Sequence, residues 1–215
     1  MEEKILDFSP FTFMNKKTQP QTFNQILAEN PIEKMEPGEY NPLSMTISKT
    51  KMYLLSDRIL LTLDQNLQRT QLFDINLNNL EIKEKNFVQP VAKKAPRTAN
   101  SYYHENKLYQ INANEEELSF DIKDLDSQQV LKSIAVAKND TILFKNSPLL
   151  IQRDNYSPKE LKNTAKFLQH LSGLDMGISV FKNKKNLFIT IGGISKTTNQ
   201  SFEGFYYPDI ETKTV

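Results

Sequence analysis

The sequence predicts a mainly β protein built from antiparallel meander repeats, with one amphipathic helix inserted near residues 158–172. Three observations carry that expectation. From about residue 45 onward, short runs rich in Ile, Leu, Val, Phe and Tyr alternate with clusters of Asn, Asp and Lys, the pattern of strands joined by tight turns. A tripeptide recurs as Phe73-Asp74-Ile75 and Phe120-Asp121-Ile122, with a spacing of 47 residues from Asp74 to Asp121. One stretch, 157–172, interrupts this pattern with helical periodicity.

Taken in order, residues 1–44 form an irregular N-terminal segment rich in Pro, Thr, Gln and Asn. Within it, Thr22 can cap a short helix over 23–29, with Gln25 at the capping-box position and Pro31 as the stop. Residues 36–42, with Pro37, Gly38 and Pro42, read as a loop. Strands are expected at 45–47, 52–56, 59–64, 71–76, 81–86, 101–104, 107–112, 117–123 and 130–136. Polar clusters such as Asp64-Gln65-Asn66 and Asn112-Ala113-Asn114 turn the chain between them.

The inserted helix is expected to start with Ser157 as cap, Pro158 at the first helical position and Glu160 reaching back to the cap. Leu161, Ala165, Leu168 and Leu171 then share one face, and Gly173 stands where a left-handed C-terminal cap would be. A hairpin follows, with strands at 177–181 and 187–191 around a turn at 182–186, and Gly192-Gly193 is expected to break the second strand. A weaker third copy of the unit spans 187–215, where Phe188-Ile189-Thr190-Ile191 precedes Tyr207-Pro208-Asp209-Ile210. Asp209 lies 88 residues beyond Asp121, and the helical insertion accounts for the excess over one period. The expected organisation is therefore an irregular segment over 1–44 and a β-repeat domain over 45–215, with the insertion at about 148–176.

Units of this length, each with three or four locally paired strands, are the form of β-propeller blades. Over about residues 45–215 the chain resembles bacterial β-propeller-like repeat proteins. The resemblance implies radial sheets, although neither a WD dipeptide nor a repeated double glycine occurs. The length leaves room for roughly three blades, whereas closed propellers have about four to eight. An incomplete propeller, an open stack or a sandwich is therefore expected. Lys213-Thr214-Val215 reads as the middle of a strand, so the remainder of a longer chain, or another protein, is the candidate partner.

Composition excludes several classes. The net charge is +1, from 27 basic and 26 acidic residues, so no global field draws nucleic acid to the surface. Cysteine is absent, which removes disulfides, thiolate nucleophiles and Cys-based zinc sites. No apolar run reaches the length of a membrane span or of a signal-peptide core. A chain trimmed of its leader would read the same way, so the compartment stays open between the cell interior and an extracytoplasmic location.

No residue is assigned to catalysis, cofactor or metal. Asp74, Asp121 and Asp209 recur in matching places, and repetition favours a structural role, because an acid and a base need different surroundings. Counted as a calcium loop from Asp121, position 3 is Lys123, position 6 is Asp126 and position 12 is Lys132, so a solvated turn is expected. Neither His104 nor His170 belongs to a zinc motif, and both are expected to be ordinary, partly exposed residues. Gly192-Gly193-Ile194-Ser195-Lys196 reads as a hairpin loop rather than an anion nest. Lys93-Lys94-Ala95-Pro96-Arg97 reads as a solvated connection balanced by Glu115-Glu116-Glu117. Tyr206 and Tyr207, beside Phe202 and Phe205, read as core or blade interface. The candidate contact residues are Tyr102, Tyr103, His104, His170, Tyr206 and Tyr207. The expected function is a non-enzymatic binding or scaffold module built from β repeats. The alternative is a hydrolase or lyase in which carboxylates from several repeats converge, with Asp74, Asp121 and His104 as its acids and base.

Overall fold

The computed structural model describes residues 5–153 and 156–195. The chain runs β1 (Phe13–Met14), β2 (Pro20–Gln21), α1 (Phe23–Glu29), β3 (Ile32–Met35), α2 (Leu43–Thr46), β4 (Thr50–Leu54), β5 (Arg58–Leu63), β6 (Arg69–Asn76) and β7 (Ile82–Val88). It continues with β8 (Thr98–His104), β9 (Lys107–Ala113), β10 (Glu117–Asp124), β11 (Val130–Ala137), β12 (Leu150–Ile151), β13 (Lys159–Glu160), α3 (Thr164–Leu171), β14 (Asp175–Lys182) and β15 (Leu187–Ile194). Among the described residues the protein is mainly β, with 44% strand and 10% helix.

Two meanders dominate. The first sheet has the order β3-β4-β5-β6-β7 and the second β11-β10-β9-β8, while β14 and β15 form a separate hairpin. All pairings inside the meanders are antiparallel, and β3 adds to β4 in parallel. Among the described residues these sheets close into neither a barrel nor a propeller. The recurrent tripeptides take the same place in successive meanders. Asp74 on β6 stands between Leu60 of β5 and Lys83 of β7, and Asp121 on β10 stands between Gln110 of β9 and Ser133 of β11.

Turn chemistry explains the hairpins. Glu105 and Asn106 both take positive φ (44° and 57°) between β8 and β9, as a two-residue hairpin of primed type demands. Asn114 Oδ1 accepts from Glu116 N and Glu117 N, and Asn76 Oδ1 accepts from Asn78 N and Asn79 N, so side chains serve the turn amides. Asp124 does the same for Asp126 N (3.1 Å) and Ser127 N (2.8 Å), which is the solvated turn expected there.

Side chains alternate across the first sheet and bury both of its faces. On β6, Phe73 and Ile75 face an N-terminal cluster with Phe13 and Ile26, while Leu72, next to Phe73, faces the main core. Phe8, Phe11 and Phe13 surround Phe73 with ring centroids 5.3, 5.0 and 5.7 Å away, so the irregular N-terminal segment is what seals this face. On the other side, Tyr53 meets Tyr102 edge-on at 5.7 Å, and the main core runs on through β8–β10 to α3 and β14.

The capped helix at 23–29 forms with those bounds and with both arms of its capping box. The long inserted helix does not. Helix α3 covers only Thr164–Leu171 and is capped by Asn163, whose side chain accepts from Lys166 N. Lys159–Glu160 instead pair with Leu150–Ile151, and Leu161 N donates to Leu149 O at 2.7 Å, so tertiary strand pairing claims the residues that carry the Ser-Pro-x-Glu signal. Gly173 has no left-handed φ; the last turn tightens through Gly173 N to His170 O and Leu174 N to Leu171 O. Residues 45–47, expected as a strand, belong to α2 and its end, where Thr46 and Ile47 are buried against β14. Gly192 and Gly193 continue β15 rather than breaking it, because a Cβ at Gly192 would lie 2.7 Å from Leu43 Cδ1 and one at Gly193 2.8 Å from Leu174 Cβ. The third copy beyond residue 195, including Tyr206, Tyr207 and Asp209, lies outside the described residues.

Candidate functional site

The starts of β4, β8 and β14 meet at one end of the molecule, and a polar junction ties them. Lys51 on β4 and Asp64, just after β5, have fully buried side chains and pair at 3.1 Å. Asp64 also accepts from Thr70 Oγ1 (2.7 Å), Ser101 N (3.0 Å) and Ser101 Oγ (2.8 Å). Such a filled set of donors is what allows a carboxylate to remain buried. Lys51 Nζ further donates to Asn100 Oδ1, and Asn100 Nδ2 faces three carbonyls: Thr46 O (3.1 Å), Ile47 O (3.2 Å) and Met176 O (2.6 Å). Burial pushes the Lys51 ammonium down against the opposing pull of Asp64.

Above this junction opens a cleft of about 680 Å³, with Asp64 in its floor. Its wall comes from strand ends and loops of the two meanders, the β14–β15 hairpin and the N-terminal segment. Lys49 precedes β4, Arg97 and Thr98 open β8, Ser172 to Asp175 join α3 to β14, and Ser195 follows β15. The β1–β2 turn contributes Asn15, Lys16, Lys17 and Gln19, and Glu29 and Asn30 end α1. That turn is held by Asn15 Oδ1, which accepts from Lys17 N and Gln19 N, with Thr18 at φ 59°. Lys49 Nζ donates to Ala99 O at 2.7 Å. Burial is the main reason its ammonium is pushed down to about 8, with Asp64 opposing.

The residues picked out by sequence lie elsewhere. Tyr102 is buried, its hydroxyl accepts from Asn41 Nδ2 at 2.7 Å, and burial pushes it up to about 12. Tyr103 N donates to the Tyr53 hydroxyl, fixing it between the first two sheets. His104 is 6% exposed, a correction to the partly exposed role expected of it; the Glu105-Asn106 turn folds it inward against Tyr109. Its Nε2 has no partner among the described residues, and burial lowers its basicity. His170 is half-buried in the last turn of α3. Asp74 pairs with Arg58 at 3.2 Å and Asp121 with Lys123 at 3.5 Å, in different sheets. None of Asp74, Asp121 and His104 lines the cleft. Two sequence-predicted pieces do reach it: Arg97 of the basic connection, paired with Glu115 of the acidic run, and Ser195 after the double glycine.

Sequence reasoning passed over Lys49, Lys51, Asp64 and Asn100. A signal existed, since Lys51-Met52-Tyr53 and Asn100-Ser101-Tyr102 place a polar residue two before a tyrosine at a spacing of 49 residues. Only the packing of Tyr53 on Tyr102 reveals that the two polar ends meet.

Fold and site together define a mainly β protein of stacked antiparallel meanders, with a polar cleft where its inner strands begin. No protein-family model, curated protein or solved structure matches the chain. Among the described residues no cluster of three or more His, Asp or Glu side chains is placed to hold a metal ion, and no helix is long and apolar enough to cross a membrane.

Proposed function

We propose that the protein is a non-enzymatic binding module, in which meander repeats akin to β-propeller blades hold one polar cleft and the cleft takes a ligand. The observation that carries this is the make-up of the wall: segments that begin β4, β8 and β14, from three separate sheets, meet at one concave site. Repeated scaffolds use converging loops in this way, because each sheet positions its own strand ends rigidly. A binding role is favoured over a hydrolase or lyase because Asp74 and Asp121 each face a cation away from the cleft. Asp64, the carboxylate in the floor, already accepts four hydrogen bonds, leaving it no capacity to serve as a base.

Ligand-observed NMR on the full chain against a panel of small polar metabolites tests the proposal. Gly173→Trp supplies the control, since Gly173 is exposed in the lining and an added Cβ there meets only His170 O at 3.6 Å. Binding that disappears in Gly173→Trp without chemical change of the ligand is expected. Conversion of the ligand, or binding indifferent to the substitution, overturns the proposal.

A further inference from the structure

We infer that the cleft selects a small anionic ligand, one bearing a carboxylate or phosphate group, and that Lys49 anchors it. This deepens the binding function proposed above and rests on it.

The inference follows from which charges in the cleft are already matched. An ammonium carries three donors. Lys49 Nζ gives one to Ala99 O and forms no ion pair among the described residues, so two donors stay unspent. Lys16 and Lys17, exposed on the β1–β2 turn, likewise form no ion pair among the described residues. The acids are more fully engaged. Asp64 is saturated by Lys51, Thr70 and Ser101, while Glu29 accepts one hydrogen bond from Gln21 Nε2 at 3.0 Å and keeps its charge. Glu29 and Asp175 are the two carboxylates of the lining without an ion pair among the described residues, against the three lysines Lys16, Lys17 and Lys49. The helix ends that face the cleft do not reverse the balance. Asn30 N caps the Ile26 carbonyl of α1, and Gly173 N and Leu174 N cap those of His170 and Leu171. Gln65, also in the lining, keeps a buried Oε1 without a partner among the described residues, a polar demand that a ligand hydroxyl or N–H would meet.

A carboxylate or phosphate oxygen on Lys49 gains a charge-assisted hydrogen bond in a site partly shielded from water, where such bonds are strongest. With its titration near 8, Lys49 is mostly protonated at neutral pH, and anion binding weakens as pH rises through that value. The charged groups facing Lys49 are Asp64, Asp175, Lys51 and Lys16.

Titration calorimetry of the full chain, at constant ionic strength, with inorganic phosphate and separately with succinate tests this. The anion that binds identifies the source of the charge. Lys49→Met is expected to weaken binding about tenfold or more, and Lys49→Arg to retain most of it. Gly173→Trp is expected to remove it, with thermal unfolding confirming that each variant is folded. Equal affinity in Lys49→Met, or anion binding untouched by Gly173→Trp, overturns the inference. If neither anion binds but a neutral polyol does, in a manner sensitive to Gly173→Trp, the anion preference fails and the binding function stands. If nothing binds in that manner, both fail.

Discussion

Asn100 on β8 donates its side-chain amide to the carbonyl of Met176 on β14 at 2.6 Å, joining two sheets that share no ladder hydrogen bond. The same side chain accepts from Lys51 of the first sheet, so one buried amide links all three. Removing it takes one acceptor from the Lys51 ammonium, which keeps Asp64, and the side-chain donor from the carbonyls of Thr46, Ile47 and Met176 together. Asn100→Ala is expected to cost about 3 kcal/mol or more, beyond the usual range for one lost hydrogen bond. Urea denaturation measures it, and a cost under about 1 kcal/mol would show that the junction is not held by Asn100.

Lys51 and Asp64 are expected to behave as one unit. Each single truncation leaves an unmatched buried charge, so Lys51→Met and Asp64→Leu should each cost about 3–5 kcal/mol. The double substitution should cost much less than the two together, and a double-mutant cycle read by chemical denaturation gives the coupling. Strict additivity would mean that the pair does not interact.

Lys49 carries a pH signature with a definite sign. Its folded-state pKa of about 8 lies below its ordinary 10.5, so the folded state binds the proton less tightly than the unfolded chain. Burying this charge is therefore a full cost below pH 8, and the cost fades as pH rises from 8 to 10.5. The stability of the native protein relative to Lys49→Met should rise across that window and stay flat from pH 6 to 7. Denaturation midpoints taken at pH 7, 9 and 10.5 check it.

Two glycines should respond differently to alanine. At Gly177 the new Cβ would stand 2.9 Å from Thr46 Oγ1 and 3.0 Å from the backbone N of Ile47, and that backbone cannot withdraw without moving the end of α2. At Gly192 the close atom is the Cδ1 end of the half-buried Leu43, which can change rotamer. Gly177→Ala is expected to cost about 1–3 kcal/mol and Gly192→Ala less. Thermal unfolding of the two variants gives the order, and the reverse order would contradict this packing.

Helix starts offer a direct check. Asn163→Ala should cost about 1 kcal/mol, because its side chain accepts from Lys166 N, while Ser157→Ala should be neutral. Amide exchange over 157–171 should correspondingly show helical protection only from Lys166 onward. A cost at Ser157 equal to that at Asn163 would restore the longer helix.

What the sequence determined by itself is the local grammar. Strand runs punctuated by Asn, Asp and Lys placed β5 to β11 within a few residues, and Thr22 with Gln25 placed α1 at its observed bounds, because caps and turns act between neighbours along the chain. Tertiary structure decided the rest. Ser157, Pro158 and Glu160 carry as good a helix signal as Thr22 and Gln25, yet Lys159 and Glu160 pair with Ile151 and Leu150, since distant backbone partners and buried area outweigh one local cap. The cleft was legible to no local rule. Lys16, Lys49, Arg97 and Asp175 are scattered along the sequence and carry the polar marks of ordinary loops. They became one site only when Tyr53 packed on Tyr102 and Asn100 reached Met176, because which strand ends meet is set by how whole sheets bury their faces.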